Sequence, residues 1–126
     1  MNHRSKKADA LWTKIEALHD VGDYARALPE LRTLIRLIPE APAFWSLLGV
    51  TLAELQRWKE AESAFRKALT IEPDHLTAHL GLSSMFAKRG RLDEAKACAR
   101  QAVDAAPDDQ LARDVLTDLN EFGHLT

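Results

Sequence analysis

An all-α solenoid of helical hairpins, seven helices in all, is the fold class predicted by this sequence of 126 residues. Three observations predict it. The chain is self-similar at an offset of 34 residues, which aligns Pro39, Pro73 and Pro107. The same offset aligns Ala27, Ala61 and Ala95, then Leu34, Ala68 and Ala102, then Ile35, Leu69 and Val103, and finally Tyr24, Trp58 and Leu92. Apolar residues within each unit recur at helical spacing, and each unit is broken once near its middle and closed by its proline.

The units are 8–41, 42–75 and 76–109, and a closing helix follows over 110–123. In the first, Val21-Gly22-Asp23 separates two helices, and Pro29 inside the second should bend its first turn by removing a backbone bond. In the middle unit Trp45, Leu48, Gly49 and Leu52 fall at i, i+3, i+4 and i+7. Gln56-Arg57 breaks the pattern, and Trp58, Ala61, Phe65, Ala68 and Leu69 form a second apolar face. The third unit breaks at Arg89-Gly90-Arg91 and carries His79 in the slot filled by Leu11 and Trp45. Gly22 and Gly90 suit the left-handed turn that ends a helix. Asp23 and Asp74 are suited to cap the helices that follow. Leu111, Val115, Leu116, Leu119 and Phe122 give the closing helix one apolar face to lay over the last hairpin. Ala27, Ala61 and Ala95 sit where paired helices approach, and a larger side chain there would cost about 1–3 kcal/mol. Gly49 and Ser83 play the same part on the first helices, whereas Ile15 departs from it.

These residues resemble the tetratricopeptide repeat. The middle unit reads Trp45-x2-Leu48-Gly49-x2-Leu52, then Ala61-x3-Phe65, Ala68 and Pro73, with Leu52 where the family usually has tyrosine. Lys14 takes a place where leucine is usual. The resemblance covers residues 8 to 109 and implies a right-handed α-α superhelix whose first helices line a concave groove. It implies a protein-interaction module: an adaptor, scaffold or chaperone.

Helical geometry gives the groove face. It offers Asp9, Trp12, Thr13, Glu16, His19 and Asp20 in the first unit, and Ala43, Ser46, Leu47, Val50, Ala53 and Glu54 in the second. The third offers Thr77, Leu80, Gly81, Ser84, Ala87 and Lys88. The partner-binding set is Trp12, Glu16, His19, Leu47, Val50, Glu54, Leu80, Ser84 and Lys88. Family members that hold a chaperone's C-terminal carboxylate do so with lysine, arginine and asparagine. Here the corresponding places are Trp12, Glu16, Leu47, Thr77 and Gly81, which cannot clamp a carboxylate. The expected partner is an apolar peptide or helix, with any basic residue near Glu16, Asp20 and Glu54. The bland alternative has Trp12 covered by the N-terminal arm or the closing helix. Two other readings are a small bacterial secretion chaperone and a self-associating module that docks through Ala8, Leu11 and Ile15.

Composition narrows the function further. A net charge of −2 argues against a nucleic-acid binder, which carries a basic excess. The basic start, Met1 to Lys7, is followed by Asp9, Lys14 and Glu16 rather than an apolar stretch, so no signal peptide is expected. No run of about 18 apolar residues predicts a membrane span, and the expected location is cytoplasmic. The one cysteine, Cys98, has no internal disulfide partner and lies among alanines, so buried packing is expected. No phosphate loop, nucleophile elbow or zinc-type cysteine pair is present, and neither catalysis nor a cofactor is expected. His75 and His79 have the spacing of two metal ligands, with Asp74 the only nearby third, and are expected to be packing residues. Basic residues (Arg57, Lys59, Lys88, Arg89, Arg91) gather at the turns within pairs, and acidic ones (Glu40, Glu72, Asp74, Asp108, Asp109) at the turns between them. Most of this follows from helix dipoles.

Overall fold

The computed structural model describes residues 3–123, and the side chains of 6–121. Seven helices follow in order: α1 (His3–Asp20), α2 (Tyr24–Leu37), α3 (Pro42–Glu54), α4 (Trp58–Ile71), α5 (Leu76–Lys88), α6 (Leu92–Ala105) and α7 (Gln110–Gly123). There is no strand among the described residues. Each helix packs on the next, and α3 packs directly on α5. The second helices of the hairpins, α2, α4 and α6, make at most marginal contact with one another. Closer packing along the α3–α5 side curves the array, and the first helices line its inner face.

Backbone bonds fix each hairpin. At the end of α1, the Asp23 N–H donates to the Leu18 carbonyl (2.8 Å) and the Gly22 N–H to that of His19 (3.0 Å). This is the paired bonding of a Schellman turn. It recurs at Arg57 to Leu52 and Gln56 to Ala53, and again at Arg91 to Phe86 and Gly90 to Ala87. The residue at the left-handed position is Gly22 (φ 74°), Gln56 (φ 61°) or Gly90 (φ 74°). The next residue is in each case the N-cap of the following helix, so turn and cap share one residue. Only Asp23 adds a side-chain cap, accepting from the Arg26 N–H at 3.3 Å. α2 continues unbroken through the exposed Pro29.

Asp74 does not cap α5. His75 holds that place with no side-chain cap bond, because Pro73 and Asp74 form the corner of a turn closed by the His75 N–H donating to the Glu72 carbonyl (3.0 Å). A similar turn at Pro107-Asp108 ends one residue before α7, where Asp109 does cap, accepting from the Ala112 N–H at 2.9 Å.

The core repeats with the sequence. Ala27, Ala61, Ala95 and Leu34, Ala68, Ala102 are all fully buried. Phe65 reaches from α4 to both α3 and α5: a Cβ added at Gly49 would lie 2.7 Å from its ring, and one at Gly81 2.6 Å from its Cζ. Only glycine lets that ring in. The Ser83 hydroxyl donates to the Ala95 carbonyl (2.9 Å), tying α5 to α6. Trp45 Nε1 donates to the Pro39 carbonyl (2.7 Å), and His79 Nε2 lies 2.8 Å from that of Pro73. The two rings thus anchor the turns between hairpins in the same way. Lys14 stays outside and bridges α1 to α2 through Glu30 (3.1 Å).

Two expected surfaces differ. Ala8 and Ile15 are buried and Leu11 is half-buried, so little of the face expected to self-associate is open. On α7 the face turned inward is Ala112, Val115, Leu116 and Leu119, while Leu111 is 62% exposed. Ala112 stands 34 residues after the buried Ala78, so α7 docks as another first helix would, and that register turns Leu111 outward. The Phe122 side chain lies outside the described residues.

Candidate functional site on the concave face

The inner face carries two neighbouring clefts. The larger, about 380 Å³, lies between α1 and α3 and is lined by Trp12, Ile15, Glu16, His19, Asp20 and Leu47. The smaller, about 80 Å³, lies between α3 and α5. Its walls are Val50, Ala53, Glu54, Ser84, Met85 and Lys88, and Phe65 reaches it beside Gly81.

Eight of the nine expected partner-binding residues line these clefts: Trp12, Glu16, His19 and Leu47 the first, and Val50, Glu54, Ser84 and Lys88 the second. Leu80 is half-buried and lines neither. Ser46, expected to face the groove, is buried with its hydroxyl unpartnered. α3 packs against α2, α4 and α5, which leaves only a narrow stripe of it open. The face is not uniformly apolar: Glu16, His19 and Asp20, which helical spacing also turned toward the groove, wall one side of the larger cleft.

Trp12 is 37% exposed and held by a tilted ring contact with Phe44 on α3 (centroids 5.7 Å apart, 38° between planes). α7 packs on α6, at the far end of the array from α1. Residues 1–5 of the N-terminal arm lie outside the described side chains. His19 is fixed by its own network. Thr51 donates its hydroxyl proton to the Leu47 carbonyl (2.7 Å), so at 2.9 Å His19 Nε2 is the donor to Thr51 Oγ1. The Tyr24 ring stands edge-on at 5.1 Å. Burial pushes the His19 pKa below its ordinary value, against the opposing pull of Asp20 and Glu54.

Phe44 and Thr51 were missed by sequence reasoning. Phe44 had a visible signal: the offset of 34 aligns it with Ala10, Ala78 and Ala112, making it the one aromatic in a column of alanines. Thr51 gave none.

The chemistry-bearing groups elsewhere are occupied in packing. His75 Nδ1 lies 2.8 Å from Glu72 Oε2, while His79 Nε2 holds the Pro73 carbonyl. No group of three metal-ligating side chains forms among the described residues. Cys98 is buried, and burial pushes its thiol pKa up. On the basic edge, Arg57 pairs with Glu60 (2.9 Å), Arg91 pairs with Glu94 (2.6 Å), and Arg89 lies over the Trp58 ring. Those Arg57 hydrogen bonds hold the Glu60 carboxyl below the usual range. No described helix is long and apolar enough to cross a membrane.

Known proteins share this architecture. The Arabidopsis OM64 TPR domain superposes with a TM-score of 0.83 at 19% identity, covering 94% of this chain and 98% of that one. The first TPR of Spaghetti (RPAP3) bound to the HSP90 peptide SRMEEVD gives 0.80 at 20%, covering 93% of each. At these identities the likeness establishes the fold. Protein O-mannosyl-transferase TMTC2 of Homo sapiens is 28% identical over 108 residues, 83% of this chain. Tetratricopeptide repeat protein 37 of Xenopus laevis is 32% identical over 71 residues, 56% of this chain. The chain spans 13% of the former and 4% of the latter. Two family models described as tetratricopeptide repeat match residues 13–75 and 52–119, so between them they run from the second half of α1 through most of α7. The chain belongs to the tetratricopeptide repeat family.

Proposed function

We propose that this chain is a protein-interaction module, without catalytic activity of its own, that seats an apolar stretch of a partner protein on its concave face. The observation that carries the reading is Trp12, braced by Phe44 yet more than a third exposed at the mouth of a cleft of about 380 Å³. An aromatic side chain held in place before binding loses little conformational freedom when a ligand covers it. Leu47 in the same cleft and Val50 in the next extend the apolar contact. His75, His79 and Cys98, the groups away from the groove that could do chemistry among the described side chains, are engaged in local hydrogen bonds or packing, which favours binding over catalysis. A formal charge of −2 speaks against a nucleic-acid partner. A cytoplasmic location belongs to the same reading.

The peptide in the RPAP3 complex is acidic. Here Glu16, Asp20 and Glu54 stand on the concave face, and an acidic tail seated there would meet like charge. The test is selection from a random peptide display library, followed by affinity measurement on Trp12→Ala and Leu47→Ala. Losing the burial of one such side chain costs very roughly 1.5–3 kcal/mol, so each change should weaken binding about tenfold or more while circular dichroism stays unchanged. Unaltered affinity in both variants overturns the assignment of this face.

A further inference from the structure

We propose that the cleft between α1 and α3 is a receptor for a cationic side chain, arginine or lysine, of the segment seated on the concave face; the proposal rests on the reading of that face as a peptide-binding surface. Three independent features of the cleft converge on a cation.

The first is unspent charge. Glu16 and Asp20 lie four residues apart on α1, on one stripe, and line the same cleft as Trp12. Neither has an ion-pair partner among the described residues. Several carboxylates elsewhere on the hairpins are met by bases, Glu30 by Lys14, Glu62 by Arg66 and Glu94 by Arg91, while others such as Asp93 and Asp104 are not; what sets Glu16 and Asp20 apart is that they share one cleft with an open indole ring.

The second is the placing of that charge. Asp20 is the last residue of α1 and Glu54 the last of α3, where the helix dipole is negative. A carboxylate there is disfavoured, and a base is the stabilising choice. The third first-helix, α5, obeys the rule with Lys88, which reaches back to Glu54 at 3.5 Å. The last turn of α1 holds only His19, whose charged form burial disfavours, so the larger cleft keeps a negative potential that a bound cation would offset.

The third is the ring. Two of the three tryptophans already carry a cation of this chain: Lys67 stands 5.8 Å from the Trp45 ring centroid and Arg89 5.7 Å from that of Trp58. Trp12 has no such neighbour among the described residues, and it is the one that opens into the acidic cleft. A guanidinium or ammonium entering there would stack on the indole while pairing with Glu16 and Asp20, a combination stronger than either contact alone.

The adjacent small cleft sets the register. It is walled by Val50 and Met85 and suits a small aliphatic side chain. The two clefts are separated by about one interhelix spacing, roughly 8–10 Å. An extended segment spans that in about three residues, and a helical one in about five to seven. The spacing between base and aliphatic residue in selected peptides therefore reports the bound conformation.

The experiment is random-peptide display against the wild type, Glu16→Gln/Asp20→Asn and Glu16→Lys/Asp20→Lys, with fold checked by circular dichroism. The wild type should enrich arginine or lysine at a fixed offset from an aliphatic residue. The neutral variant should keep the aliphatic preference and lose the basic one, and the basic variant should enrich aspartate or glutamate. Replacing the base by norleucine in a selected peptide should weaken wild-type binding about tenfold and leave binding to the neutral variant unchanged. Enrichment of aliphatic residues without a base, or an equal basic preference in the neutral variant, overturns the proposal and leaves the peptide-binding reading standing. No enrichment of any kind overturns both.

Discussion

Gly81→Ala tests how the middle of the array is built. The added methyl carbon would fall 2.6 Å from Phe65 Cζ and 3.1 Å from Cδ1. Phe65 Cε1 would lie closer still, and carbon atoms rest about 3.5 Å apart, so the ring edge must retreat by about 1 Å or more. Phe65 is 1% exposed and already close to Gly49, so the displacement must be taken up by α3 and α5 themselves. Overpacking of this kind costs about 1–3 kcal/mol. Alanine regains about 1 kcal/mol over glycine within a helix, which leaves a net destabilisation of about 1 kcal/mol. The sharper form uses Phe65→Leu as background. Leucine lacks the Cε1 and Cζ atoms that meet position 81, so there Gly81→Ala should become stabilising by about the helix-propensity difference alone. Urea unfolding followed by circular dichroism on the four proteins reads the change of sign. If Gly81→Ala raises stability equally with phenylalanine or leucine at position 65, the steric reasoning is wrong.

Two further outcomes are expected. Gln56→Gly should stabilise the protein by about 0.5–1 kcal/mol in urea unfolding, because a side chain at φ 61° costs about 1–2 kcal/mol, and the extra freedom of glycine when unfolded takes back part of that; no gain would show that Gln56 makes a compensating contact. Since burial lowers the His19 pKa from 6.5, the unfolded chain takes up the proton first. The stability held by neutral His19 is therefore complete above about pH 6.5 and declines as pH falls below it; the stability difference between wild type and His19→Asn should shift against the wild type from pH 7.5 to 5.5, and a difference independent of pH would refute the assignment.

The fold was largely legible because a repeat reports the same physics several times. Prolines at one offset marked the turns, and three alanine positions marked the close approach of helices, all of them fully buried. Position 56 escaped because glutamine hides the left-handed turn that glycine reveals at 22 and 90. The cap at Asp74 was misread because a favourable residue type was weighed without the Pro73 turn that places it too early. The site was legible as a stripe, since helical spacing decides which residues of α1, α3 and α5 look inward. Its character was not. The contact between Trp12 and Phe44, and the Thr51 hydroxyl that orients His19, join helices whose separation no spacing rule supplies. Ser46 shows the converse, a residue on the correct stripe that neighbouring helices close over.

The loose packing among α2, α4 and α6 has a mechanical consequence. The side of the array where α3 meets α5 behaves like the stiff leaf of a spring, and the opposite side like spaced ribs joined by the Arg32–Glu60 pair across α2 and α4 (3.2 Å). Flexing that spreads or gathers the ribs breaks little direct contact among α2, α4 and α6, whereas shear along the leaf would have to drag the Phe65 ring past two glycines. The soft motion of this molecule is therefore a change of curvature, which opens or narrows both inner clefts together.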